Sequence, residues 1–334
     1  MKKTIYILFL AITTAVGLVS CNDEWEDEQF VQMASFRAES NDLGVTSTYL
    51  RYNPEGKVRF NLPLVISGST PNTKNRIIHI GLDPDTLARL NQEEYGHRQE
   101  LYFRQLDSKY YSMPETIEVP AGASTVTIPI DFTLGDLDQV DKWVLPLQIL
   151  DDPSYDYKAN PHKQYRRAML HITPFNDYSG EYGGTLYKVF LDGNLDEPLT
   201  LNSHRAFVVD NKTIFLYAGI RNIEYLDRKN YKVFVKFTDD QIVLGKKKLE
   251  IWSDNAANNK FKIGANQSYY TKNEEWDAKR PYLKHIYITM FLSYEFEDYT
   301  TIPGQRLKYK VEGTLSMQRD LNTLIPDEDQ QIQW

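Results

Sequence analysis

The chain has 334 residues, more than one hydrophobic core usually serves, and its composition of 41% hydrophobic and 25% charged residues is that of a folded protein without low-complexity bias. A formal net charge of -8 and a pI near 5.4 exclude a protein whose affinity comes from neutralising phosphates, so nucleic acid is not an expected partner. The 23 tyrosines, each a strand former with a polar tip on an apolar ring, point to β-structure and an amphipathic surface.

Residues 1–20 read as a secretory signal, with Lys2 and Lys3 as its basic start and Ile5 to Leu18 as its apolar segment, too short to span a hydrocarbon core of about 30 Å. Cys21 is the only cysteine, so no intramolecular disulfide can form and the thiol needs another purpose. Residues 21–34 form an acidic tether with five acids from Asp23 to Glu28. The acidity belongs to the front half, with about -8 over residues 21–174 and about -2 over 175–334. The run LVSC resembles the lipobox of bacterial lipoproteins, which implies that Cys21 becomes the first mature residue and carries lipid. NDEWEDE behind it resembles the tag of Bacteroidetes lipoproteins displayed at the cell surface, on the outer face of the outer membrane.

From about Ser35 the chain reads as strand after strand. KVRFNLPLVISG alternates Val58, Phe60, Leu62, Leu64 and Ile66, the period-2 signature of a half-buried strand, and NRIIHIGLD repeats it with Ile78, Ile80 and Leu82. Asp85 to Gly96 is the one helical segment expected here, with an acidic start and a glycine stop. Ile117 and Val119 lead into the turn PAGAS, and Val126, Ile128, Ile130 and Phe132 alternate out of it; KWVLPLQILDD and RRAMLHITPF add two more strands. This predicts an all-β protein whose residues 35–174 form an immunoglobulin-like β-sandwich. Pro63, Pro129 and Pro146 fall within strand patterns, placing those strands at edges or bulges. The order from LYFRQLDSKYYSMPE through PAG to VLPLQI resembles the N-terminal domain of unknown function common in Bacteroidetes surface lipoproteins. That domain accompanies glycan-binding proteins and, in some chains, glycosidases.

TPFNDYSGEYGG marks a boundary, and residues 175–334 follow as a series of alternating segments with short turns such as VDNKT and TDDQ. They predict an antiparallel meander, either a lipocalin-like barrel or a second sandwich.

Chemistry is scarce. DFTLGDLDQVD gathers Asp131, Asp136, Asp138 and Asp141, but it fails the EF-hand pattern and lacks a glycosidase signature, so it reads as a solvated loop. The six histidines have no metal-ligand spacing, no nucleophile elbow or phosphate-cradling loop occurs, and neither metal nor cofactor is expected. What remains is aromatic. Between Trp252 and His285, the rings of Trp252, Tyr269, Tyr270, Trp276 and Tyr282 alternate with amides and charges, a chemistry that complements a sugar's C–H face and hydroxyl rim. About 20 residues between strands near Ile263 and Lys284 make a long connection of the kind that carries function. Tyr110 and Tyr111 are a second candidate.

The expectation is a lipid-anchored outer-membrane surface protein that captures glycan without catalysis. Family resemblance implies a SusC/SusD-type importer as partner and host N-glycans as one guess for the sugar. A glycoside hydrolase or its accessory, a structural or adhesion protein with a protein partner, and a barrel carrying a small molecule are the alternatives.

Overall fold

The computed structural model describes residues 28, 30–54, 56–192 and 194–325; the leader, Cys21 and most of the acidic tether, like Trp334, lie outside the described residues. The protein is all-β. Strands from residues 33–175 form two sheets. In hydrogen-bonded order the first is Lys158–Ala159, Met33–Phe36, Val58–Ser67, Thr125–Phe132 and Tyr111–Ser112. The second is Thr46–Arg51, Arg167–Phe175, Lys142–Ile149, Arg76–Leu82 and Thr116–Val119, with Phe103–Gln105 beside Lys142–Ile149. Alternation explains the layering. Ile128, Ile130 and Phe132 from one sheet and Leu145, Leu147 and Ile149 from the other are fully buried in a shared core, each such side chain contributing about 1.5–3 kcal/mol over an exposed one. Parallel pairings of Met33–Phe36 with Lys158–Ala159 and of Thr46–Arg51 with Arg167–Phe175 are a feature that alternation cannot reveal.

The expected helix forms as α1, Pro84–Tyr95. Asp83 caps it by accepting the Thr86 N–H at 3.1 Å, proline occupies the first turn, and Gly96 stops it at φ 56°. Leu87, Leu90 and Tyr95 pack on Phe103, Val144 and Met169 in a smaller core.

Pro63, Pro129 and Pro146 correct one expectation, because all three lie in interior strands. Pro63 accepts from Arg37 N just past the last pair of Met33–Phe36, and Pro146 accepts from Asp83 N just past Leu82, so the absent N–H in each case points where the neighbouring strand has ended. Pro129 lies outside the short pairing of Tyr111–Ser112 with Phe132 and Asp131.

Residues 180–322 build the third sheet. Gly180–Leu191, Ser203–Val208, Thr213–Tyr217, Lys232–Val243, Lys246–Trp252, Tyr269–Trp276, Leu283–Asp298 and Leu307–Asn322 pair antiparallel in that order, and the last pairs back on the first. The meander is therefore a closed eight-stranded barrel, with Asn194–Thr200 and Lys262–Ile263 added outside the ring. The seam depends on Gly313: its φ is 154°, and a Cβ there would strike the Leu186 carbonyl and the Tyr187 backbone across the closure. Inside, Tyr182, Tyr187, Tyr231, Phe237, Tyr294 and Phe296 are almost wholly buried, and the Tyr187 and Tyr294 hydroxyls bond to each other at 2.5 Å. Side chains thus fill the interior, as eight strands allow, which removes the expected basis for small-molecule carriage.

Sandwich and barrel meet through a dense interface. The link is short: one strand ends at Phe175, the next starts at Gly180, and the Asn176 side chain accepts from Tyr178 N and Ser179 N while donating to the Asp210 carbonyl. Arg228, fully buried, donates to the carbonyls of Val140, Tyr225 and Glu100 at 3.1, 3.2 and 2.7 Å. Lys142 reaches Glu224 at 2.7 Å and the Tyr95 hydroxyl at 3.3 Å, and burial pushes its ammonium pKa down. Val140 packs with Phe207, Phe215 and Tyr217 of the barrel's outer face.

Candidate functional site

The ring-rich stretch does not form one loop. Tyr269–Trp276 is a barrel strand, and with Leu283–Asp298 it makes a hairpin whose connection spans only residues 277–282. Tyr270 points inward; it is 3% exposed, edge-on to Phe237, and donates its hydroxyl to the Thr238 carbonyl at 3.0 Å. Tyr269 is half-buried on the outer face, stacked on Phe291 at 5.3 Å with the Lys246 ammonium over it at 4.1 Å. Trp276 and Tyr282 lie on the projecting hairpin, 59% and 37% exposed. Trp252 lies elsewhere. With Lys248 opposite Tyr269 in register, it is offset from Trp276 by roughly eleven residues, or about 35 Å of extended chain. Tyr110 is buried in the sandwich core and Tyr111 packs against it.

Trp252 does, however, belong to an ordered set. Phe207 faces Phe215 across one pair of strands, Phe215 faces Phe234 across the next, and Phe234 faces Trp252 across a third. Their ring centroids are 5.1, 6.1 and 5.3 Å apart in turn, so four consecutive strands each contribute one rung of an aromatic ladder on the barrel's outer face. Phe207 and Phe215 are closed over by the sandwich, whereas Trp252 is 40% exposed. Phe234 covers one face of the indole in nearly parallel planes, 9° apart. Lys232 borders this end: its ammonium is 5.3 Å from the Phe234 ring and pairs with Asp254 at 3.1 Å and Asp138 at 3.2 Å. Both carboxylates remain about half exposed, free to accept further hydrogen bonds. A rigid flat ring beside carboxylates and an ammonium can stack on a sugar's apolar face and bind its hydroxyls. Phe234 was not singled out in the sequence, because only register brings it beside Trp252.

The aspartate run beyond Asp131 is the expected loop, with Asp136 and Asp138 exposed, but each carboxylate has an ion-pair partner. Asp131 pairs with Arg59, Asp136 with Lys109, Asp138 with Lys232, and Asp141 with Lys229, the last two across the domain interface. Among the described residues no group of three or more His, Cys, Asp or Glu could hold a metal ion. A larger concavity lies in the sandwich around Tyr155, and two of its carboxylates, Glu28 and Asp152, have lowered pKa values. Glu28 is held chiefly by the Ser69 N–H and Asp152 by the Ser154 hydroxyl, the reverse of the raised value that a glycosidase acid requires.

A family model described as "Domain of unknown function (DUF4973)" matches residues 25–153, and a C-terminal domain model matches 166–316. No curated protein matches the chain. Among solved structures, a protein of unknown function from Bacteroides ovatus is 38% identical, with a TM-score of 0.81 over 90% of this chain and 96% of that one. A multidomain protein including DUF1735 from the same species is also 38% identical, with a TM-score of 0.79 over 91% and 100%. A protein from Bacteroides thetaiotaomicron described as an auxiliary nutrient binding protein is 35% identical, with a TM-score of 0.78 over 88% and 98%.

Proposed function

The chain belongs to the family of these two-domain Bacteroides proteins, and from that premise we propose that it captures carbohydrate nutrient without chemically altering it. The observation that carries this reading is Trp252, backed by Phe234 and open to solvent beside Asp254 and Lys232. A platform fixed by its neighbours loses little conformational entropy on binding, which suits a capture role. The relative described as an auxiliary nutrient binding protein supports the class of ligand. In the same proposal, lipid on Cys21 anchors the protein to the outer membrane at the cell surface, and captured glycan passes to an importer of the SusC/SusD type.

Two observations favour binding over hydrolysis. The two carboxylates beside Trp252 share one lysine as ion-pair partner, and the displaced carboxyl groups of the Tyr155 cleft move downward. A glycan array probed with the protein starting after Cys21, then with its Trp252→Ala variant, tests the site; undiminished retention by the variant counts against it. Release of reducing sugar from a bound glycan would replace capture with hydrolysis.

A further inference from the structure

The N-terminal sandwich contains a cleft of about 1340 Å³ that the barrel platform does not use. Two rings, Tyr155 and Tyr157, line it, and the His79 ring backs Tyr155. Tyr155 lies 4.0 Å from the His79 ring in planes 8° apart, and Tyr157 is stacked 5.4 Å from Tyr155. Tyr157 is buried and locked, its hydroxyl donating to the Leu150 carbonyl at 2.8 Å and accepting from His79 N at 3.0 Å. Tyr155 is half-buried and lines the opening.

The wall is equally fixed. Arg76 donates to Asn72 Oδ1 at 2.8 Å, to Gln32 Oε1 at 2.7 Å and to the Asp156 carbonyl. Glu28 accepts from the N–H and hydroxyl groups of Ser69 and Thr70 at 2.7, 2.8, 3.0 and 2.7 Å, which pins the segment leading from the tether along one side. All of these bonds join the protein's own groups, and together they fix the shape of the concavity.

Size and charge define what fits. The volume exceeds the roughly 300–1,000 Å³ of sites for drug-sized molecules, so a chain of units suits it better than a single small molecule. Lys74, Arg76 and Lys158 face Glu28, Asp151, Asp152 and Asp156, a near-balance that attracts neither polyanion nor polycation strongly. Ring stacking and neutral hydrogen bonds are left to supply affinity.

We propose that this cleft is a second carbohydrate site, which takes an uncharged oligosaccharide chain over Tyr155 with Thr73, Lys74 and Asp156 supplying hydrogen bonds. It rests on the nutrient-capture reading and adds a separate site in the other domain. Two sites on one body convert the second contact with a polymer into an intramolecular event.

Native affinity gels containing soluble α-mannan, xyloglucan, arabinogalactan or polygalacturonate test this, using the wild type and the Tyr155→Ala, Tyr155→Phe, Thr73→Trp and Trp252→Ala variants. At least one neutral polymer should retard the wild type while polygalacturonate does not. Tyr155→Ala should weaken retention about tenfold and Tyr155→Phe by less than about twofold. Thr73→Trp, which fills the opening from an exposed position, should weaken retention even if Tyr155→Ala lowers stability. Wild-type retention by both Tyr155→Ala and Thr73→Trp overturns the cleft; if Trp252→Ala alone then loses binding, the barrel platform stands. Retardation by polygalacturonate alone overturns the ligand class, and a wild type retarded by no polymer overturns the cleft and the capture reading together.

Discussion

Trp252 lies flat against Phe234 at 5.3 Å, as the last rung of a ladder whose first rung, Phe207, is locked against Val140 of the other domain. The exposed ring is thus held in orientation by a stack that begins in buried structure. Trp252→Ala should lower glycan affinity about fivefold, and Trp252→Phe by much less, since a ring worth about 1 kcal/mol of stacking is removed in one case and kept in the other. Isothermal titration checks affinity, and a single cooperative urea transition for both variants checks that folding is intact.

Arg228 predicts how the two modules behave on unfolding. Its guanidinium donates to three carbonyls, two of them in the sandwich. Arg228→Met leaves those acceptors unpaired and should cost about 3 kcal/mol. Calorimetry should then resolve two transitions where the wild type unfolds with its modules coupled; one unsplit transition at the wild-type temperature would refute the role.

His204 predicts a pH dependence. Its Nε2–H donates to the Tyr217 carbonyl at 2.8 Å, and burial pushes its pKa from 6.5 down to about 4. The unfolded chain therefore binds a proton that the folded one does not between pH 6.5 and 4, so stability is constant above this window and declines as pH falls through it. The full loss is about 3 kcal/mol. Urea unfolding at pH 7 and pH 4.5 should show a smaller difference for His204→Gln, which keeps a donor and does not titrate, than for the wild type.

Cys21→Ser should move the protein from the membrane fraction to the soluble periplasmic or extracellular fraction, as read by fractionation and immunoblot. Membrane retention of this variant after its leader has been removed would take the lipid anchor out of the proposal.

Much of the architecture was legible because alternation and capping are local. Ile128, Ile130 and Phe132 mark a buried face, and an acidic start at Asp85 and a stop at Gly96 mark α1, which the structure begins one residue earlier under the Asp83 cap. Tyr269–Trp276 resembles a loop in sequence for a physical reason: its last five residues, Lys272 to Trp276, are exposed on both faces where the hairpin runs past the barrel, so no period-2 signal exists there. Asp138 and Asp141 looked like loop acids because Lys232 and Lys229 are distant in sequence. The ladder had all its rings visible in the chain, but which ring faces which is a matter of register, and register was not written in any single strand.

Ring closure at Gly313 has a bearing on how crowded copies of this chain meet. An open sheet would offer each neighbour an unsatisfied hydrogen-bonding margin and invite strand-to-strand sticking. The eight-membered ring has no such margin, and Asn194–Thr200, paired to it from outside, carries Asp196, Glu197 and Pro198, residues that resist templating. The barrel's ring therefore gives a crowded neighbour no strand edge to extend.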